Sequence, residues 1–231
     1  MLLKAKNLTP FIIVFCLIEG VLGFFIQKLN GTLYSSVSFS SIILAFLFCF
    51  LLLKREFYHI ITVFALFFTV CADFLLCGLV DFPFIKELAM CFFVGTQTCY
   101  FLRLYFNQQQ KQRTIHVIVR VVFSVFALTL TAIVLKENTN FLSLISLFYY
   151  ANLIVNVVFA FIQIKRSPLL AIGLLLFALC DVFVGLGMIE NFITIPDGSI
   201  IQRINNINLN MAWLFYVPSQ TLLALSTIKS K

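Results

Sequence analysis

Three carboxylates lie well inside otherwise apolar stretches of the sequence, away from their ends: Glu19, Asp73 and Asp181. An ionisable group in such surroundings is costly, and it marks a functional site by default. Asp73 stands in Phe-Thr-Val-Cys-Ala-Asp-Phe-Leu-Leu-Cys-Gly, and Asp181 in Leu-Phe-Ala-Leu-Cys-Asp-Val-Phe-Val-Gly. The two segments look alike: a small residue or Cys, then Asp, then an apolar stretch reaching a Gly. Two carboxylates sharing a low-dielectric site do not both ionise cheaply, so one is expected to hold a proton while the other is charged. That division suits an acid–base catalyst. It also suits proton or cation coupling in a transporter, and each Asp could instead only bond a neighbouring helix. Glu19 has no echo elsewhere and reads either as a third member of the site or as an interhelical strut.

Uncharged polar residues recur at compatible positions. Gln97 and Tyr100 are three apart, while Tyr216 and Gln220 are four apart, as are Asn152 and Asn156. Residues so spaced share a helix face. Each pair is a candidate lining of a polar cavity, and each could equally be interhelical glue worth roughly 0.6 kcal/mol per bond. His59 and His116 fall near the ends of apolar stretches and read as solvated. The sequence has no Ser-centred nucleophile elbow, HExxH, phosphate loop or Gly-rich nucleotide fingerprint. All seven cysteines fall inside apolar stretches without a CxxC, as small packing residues would. No metal and no cofactor is expected.

The elements that carry these residues follow from composition. The chain has 231 residues, of which 62% are apolar and 11% charged, with a mean hydropathy of +1.07. A soluble domain is about 45–50% apolar and about 25% charged, so soluble, disordered and disulfide-scaffold classes are excluded. Membrane helices need about 20 apolar residues each. Eight stretches qualify, roughly Thr9–Gln27, Leu33–Leu53, Phe57–Gly78, Phe84–Phe106, Ile115–Leu135, Phe141–Ile164, Pro168–Ile189 and Ile207–Ile228. They consume most of the chain and predict one all-α membrane domain over residues 1–231 with no soluble part. The runs are continuous rather than alternating, which argues against a β-barrel. The first stretch follows Lys4 and Lys6 but has no small-residue cleavage site, so it reads as a helix and not as a signal peptide. Asp73 and Asp181 fall on stretches three and seven, which run in the same direction, the pattern of a parallel four-helix repeat. At 1.5 Å per residue, Asp73 sits roughly 9 Å and Asp181 roughly 3 Å to the outer side of the centre of its stretch.

The basic residues sort by side. Lys4, Lys6, Lys54, Arg55, Arg103, Lys111, Arg113, Arg120, Lys165, Arg166, Lys229 and Lys231 fall on one side, and Lys28, Lys86, Lys136 and Arg203 on the other, accounting for all 16. The positive-inside rule then places both termini in the cytoplasm, and a cell membrane is the expected location. The net charge of +7 is spread over several loops and tails, so it reads as a topology signal rather than a nucleic-acid surface. Membrane lipids are the expected partners, and no protein partner is inferred. The one long connection, Glu190–Asn206, carries a turn signal at Pro196-Asp197-Gly198 and reads as a lid or a plain tether.

Four segments in this order resemble the YhhN-like lysoplasmalogenase family of small eight-span membrane proteins. Cys71-Ala-Asp73-Phe-Leu-Leu is similar to the family's first Asp motif, and Leu175-Leu-Phe-Ala-Leu-Cys-Asp181 to its second. Phe93-Val-Gly-Thr-Gln97-Thr-Cys-Tyr100 resembles the segment between them, and Tyr216-Val-Pro-Ser-Gln220 the closing Tyr-three-residues-Gln pattern. The likeness spans nearly the whole chain. It departs at Gln97, where the family usually has His; Gln bonds in both directions but does not shuttle a proton near neutral pH. The resemblance implies hydrolysis of the vinyl ether bond of lysoplasmalogens to a fatty aldehyde and a glycerophospho head group. It implies Asp73 and Asp181 as the catalytic pair, with Gln97, Tyr100, Tyr216, Gln220 and Glu19 about the substrate.

Overall fold

In the computed structural model, the structure describes residues 8–52, 54–189, 196, 198–205, 207 and 209–228. Nine α-helices are found among them: α1 Leu8–Ile26, α2 Gly31–Leu51, α3 Phe57–Leu76, α4 Ile85–Phe106, α5 Gln110–Leu135, α6 Phe141–Ile162, α7 Pro168–Met188, α8 Ile200–Asn205 and α9 Met211–Leu225. A 3-10 turn, Lys136–Asn138, follows α5, and the described residues contain no strand. In hydrocarbon a helix is the open-chain conformation that satisfies its own backbone polar groups, so continuous apolar runs fold this way. Six helices (α1, α2, α3, α5, α6 and α7) are long and apolar enough to cross a membrane. Of the eight expected stretches, the last yields only the 15-residue helix α9. The fourth yields α4, which brings Lys86, Glu87 and Arg103 into its length.

The helix starts and stops have local causes. Asn140 and Ser143 form a reciprocal capping box that opens α6. Ser167 precedes Pro168 at the first position of α7, where a missing N–H costs nothing. Asn210 accepts from the Trp213 N–H at the start of α9 and also bonds Gln27 and Tyr34, tying α9 to the end of α1 and the start of α2. Gly78 turns the chain after α3 at a φ of 70°.

The long helices close a ring. α1 packs on α2, α2 on α3, α3 on α4, α4 on α6, α6 on α7, α7 on α9, and α9 back on α1. α5 lies outside this ring against α6 and α4. Its three buried residues are all polar (His116, Ser124 and Thr131), while Ile118, Val121, Val122, Val125 and Phe126 are exposed along its length. That inversion is what an apolar solvent selects. α7 and α9 approach closely at Gly173, where an added Cβ would stand 2.9 Å from Leu223 Cγ.

The connection expected over Glu190–Asn206 is described only in part: α8 occupies Ile200–Asn205, while 190–195, 197 and 206 lie outside the described residues, as do Lys4, Lys6, Lys229 and Lys231. The two histidines depart from expectation. Both are buried: His59 Nε2 meets the Cys49 carbonyl at 3.1 Å, and His116 stacks on Phe159 with ring centroids 3.8 Å apart. Each ring is packed by a neighbouring helix, which position along one stretch does not reveal.

Candidate active site

Asp73 is the last polar residue on the inward face of α3, which carries Thr62, Leu66 and Thr69 at helical spacing before it. Its carboxylate Oδ2 accepts the hydroxyl of Tyr216, on α9, at 2.5 Å. Asp181, on α7, accepts the hydroxyl of Tyr149, on α6, at 2.5 Å, again on Oδ2. Two acids on two helices are thus each held by a phenol from a third and a fourth. Asp73, Tyr149 and Tyr216 are buried, and Asp181 is partly buried. The two acids lie within electrostatic reach of each other, and Tyr149 within reach of both.

Aromatic rings join the two halves. Phe93 of α4 packs on Tyr149 with centroids 5.4 Å apart and on Phe177 at 6.0 Å, and Phe177 packs on Tyr216 at 5.4 Å. This wall holds both phenols by contacts that need no water. A phenol donating to Oδ2 directs any proton of that acid to Oδ1.

A family model described as the YhhN family matches residues 33–227. The chain belongs to the YhhN family. The resemblance read from the ordered motifs is borne out, and the match takes in both aspartates and both tyrosines while leaving α1 with Glu19 outside. No curated protein and no solved structure matches this YhhN-family chain at a significant level.

The other expected site residues divide. Gln97, Tyr100 and Gln220 are buried; Gln97 Nε2, the Tyr100 hydroxyl and both Gln220 amide atoms have no hydrogen-bond partner among the described residues. Unpaired buried polar atoms mark room for water or for a polar group of a ligand. Gln97 Oε1 accepts from Asn156 Nδ2 at 2.9 Å. Glu19 is buried on α1, where Oε2 accepts from Ser41 of α2 at 2.5 Å, and among the described residues no hydrogen bond joins it to either Tyr–Asp pair. Its bond favours the strut of the two readings.

Two of the basic residues used to assign the sides lie within helices, as their stretches imply. Arg120 of α5 donates to Asn152 Oδ1 at 2.5 Å and to Asn156 Oδ1, and its guanidinium stands 4.2 Å over the Phe101 ring. The Asn pair is therefore glue for a charge, in line with Gln97 beyond it. Arg103 of α4 is buried near the opposite end of the bundle from the acids. Sequence reasoning also passed over Tyr149, although Tyr149, Asn152 and Asn156 share one helical face and a buried phenol needs a partner.

Proposed function

We propose that this protein is an intramembrane hydrolase that cleaves the vinyl ether bond of lysoplasmalogen-like lipids with Asp73 and Asp181 as its acid and base. The observation that carries the reading is the pair of aspartates, each bonded to a tyrosine and within reach of each other, in a chain of the YhhN family. The protonated acid delivers its proton to the outer vinyl carbon, leaving an oxocarbenium ion at the inner one. The charged carboxylate stabilises that cation and takes a proton from water as the water oxygen bonds to the cationic carbon. The hemiacetal then breaks its carbon–oxygen bond, releasing a fatty aldehyde and a free glycerol hydroxyl, and no metal is needed. Tyr149 and Tyr216 hold the two carboxylates, while Gln97, Tyr100 and Gln220 offer unpaired atoms to water or the head group.

The same reading supplies the topology: α1–α7 and α9 cross as eight spans with both termini in the cytoplasm of a cell membrane, by the distribution of Lys and Arg. Lipid enters laterally, with Lys86 or Arg203 at the phosphate. One observation favours a rival, a proton- or cation-coupled transporter or a non-catalytic lipid binder: Pro218 interrupts α9 between Tyr216 and the unpaired amide of Gln220. The test is aldehyde release from lysoplasmenyl-ethanolamine by detergent-purified protein beside Asp73→Asn and Asp181→Asn. Release by the parent and its loss in both folded variants supports the hydrolase. Proton-coupled uptake into liposomes that Asp181→Asn abolishes, with no aldehyde formed, supports the rival.

A further inference from the structure

Arg103 is a buried cation with neutral partners. Its Nη1 donates to Thr62 Oγ1 at 2.7 Å and Ser226 Oγ at 2.8 Å, and its Nη2 to the Ser226 carbonyl at 2.8 Å. An isolated charge taken out of water is costly unless a counter-charge meets it. The side chain lines a cavity of about 590 Å³ at the end of the bundle where α4 and α6 finish and α7 begins. Arg166 lines it too, held by a 2.8 Å bond to the Asn107 carbonyl, and among the described residues the lining contains no Asp or Glu. Leu169 and Leu170 present the first turn of α7, whose backbone N–H groups have no acceptors within the helix. Gln163, also in the lining, is buried, and its Oε1 has no hydrogen-bond partner among the described residues. Phe57 and Phe106 supply apolar wall.

The cavity therefore offers two guanidiniums and a helix start to an anion, one amide oxygen to an O–H or N–H, and an apolar side to a chain. We propose that it binds the phosphate of an amphipathic phosphate ester, with Arg103 and Arg166 as the anion ligands. The phosphate chemistry is shared by a lysophospholipid head group and by free glycerol phosphate. Counted along α7 from Pro168 to Asp181, the cavity is about 20 Å from the acid pair. It is a second site, and its occupation does not depend on the ether chemistry.

The test is binding to the full-length protein in detergent, read by calorimetry, with 1-palmitoyl lysophosphatidic acid, glycerol 3-phosphate and monopalmitoylglycerol as probes. None has a vinyl ether, so a protein that fails to hydrolyse ethers leaves this test intact. Lysophosphatidic acid should bind, and Arg166→Gln, at an exposed position, should weaken it at least tenfold, with Arg166→Lys restoring part of the loss. Arg103→Lys should weaken it as well in a folded sample. Equal binding of glycerol 3-phosphate would keep the anion site and remove the lipid chain from it. Binding of monopalmitoylglycerol as tight as that of the phosphate ester, or affinity unchanged by Arg166→Gln, overturns the proposal.

Discussion

Tyr149 gives its hydroxyl to Asp181 across the α6–α7 interface at 2.5 Å, in the same way that Tyr216 serves Asp73 from α9. A hydrogen bond to a charged group contributes about 1.5–3 kcal/mol. Tyr149→Phe and Tyr216→Phe keep the ring packing on Phe93 and Phe177 and remove only that bond. Each should lower aldehyde release about 10- to 100-fold in protein that still folds, with an unfolding midpoint lowered by the loss of one such bond. A loss of folded protein in place of a loss of turnover would make the phenols structural.

Gln97 accepts from Asn156, at the position where the motif resemblance implies a His. A histidine there adds a group that exchanges protons near neutral pH. Gln97→His should raise the rate of aldehyde release severalfold in a folded sample, and Gln97→Ala should lower it. A Gln97→His variant no faster than the parent would remove position 97 from the chemistry.

Glu19 bonds Ser41 and lies outside the matched family segment. Glu19→Gln should leave turnover within about twofold, far from the roughly 100-fold or larger loss expected for an acid–base group. Steady-state kinetics on the two proteins would decide it; a loss of about 100-fold would return Glu19 to the site.

The Arg120 charge is held by Asn152 and Asn156. Removing one partner of a buried charge costs more than replacing the charge by an apolar chain of similar size. Asn156→Leu should therefore lower the unfolding midpoint in detergent more than Arg120→Met does. The reverse order would show that the guanidinium itself is the strut, through its contact with Phe101.

Gly173 lets α7 and α9 meet, with Ser219 Oγ donating to its carbonyl at 2.8 Å. Gly173→Ala puts a Cβ 2.9 Å from Leu223 Cγ and 3.3 Å from the Leu223 backbone nitrogen. Overpacking of this kind costs about 1–3 kcal/mol. The variant should unfold at lower temperature, and an unchanged midpoint would mean that the helices separate freely.

The helices are legible in the sequence because a long apolar run in lipid has one solution for its backbone. Asp73 and Asp181 stand out for the same reason, as charges among hydrocarbon. Partnership is not legible. Tyr149 sits in a stretch rich in aromatics, and what makes it special is Asp181, on the next helix. Arg120 reads as a charge near the end of its stretch because the apolar run begins near residue 115, whereas α5 begins at Gln110 and places Arg120 ten residues into the helix. Its two Asn partners lie on α6, and only packing brings them to it. The burial of His59 and His116 escapes the sequence for the same cause: exposure near a helix end depends on what packs against that end.

In the proposed reaction an aspartate gives its proton to carbon. Lysoplasmenyl-ethanolamine should be incubated with the purified protein in D₂O, and the aldehyde trapped as it forms and weighed by mass spectrometry. Aldehyde from the parent protein should carry one deuterium on the carbon next to the carbonyl, and Asp73→Asn and Asp181→Asn should each lose at least about 100-fold of the product. No aldehyde from folded parent protein, or undiminished labelled aldehyde from either variant, would contradict it.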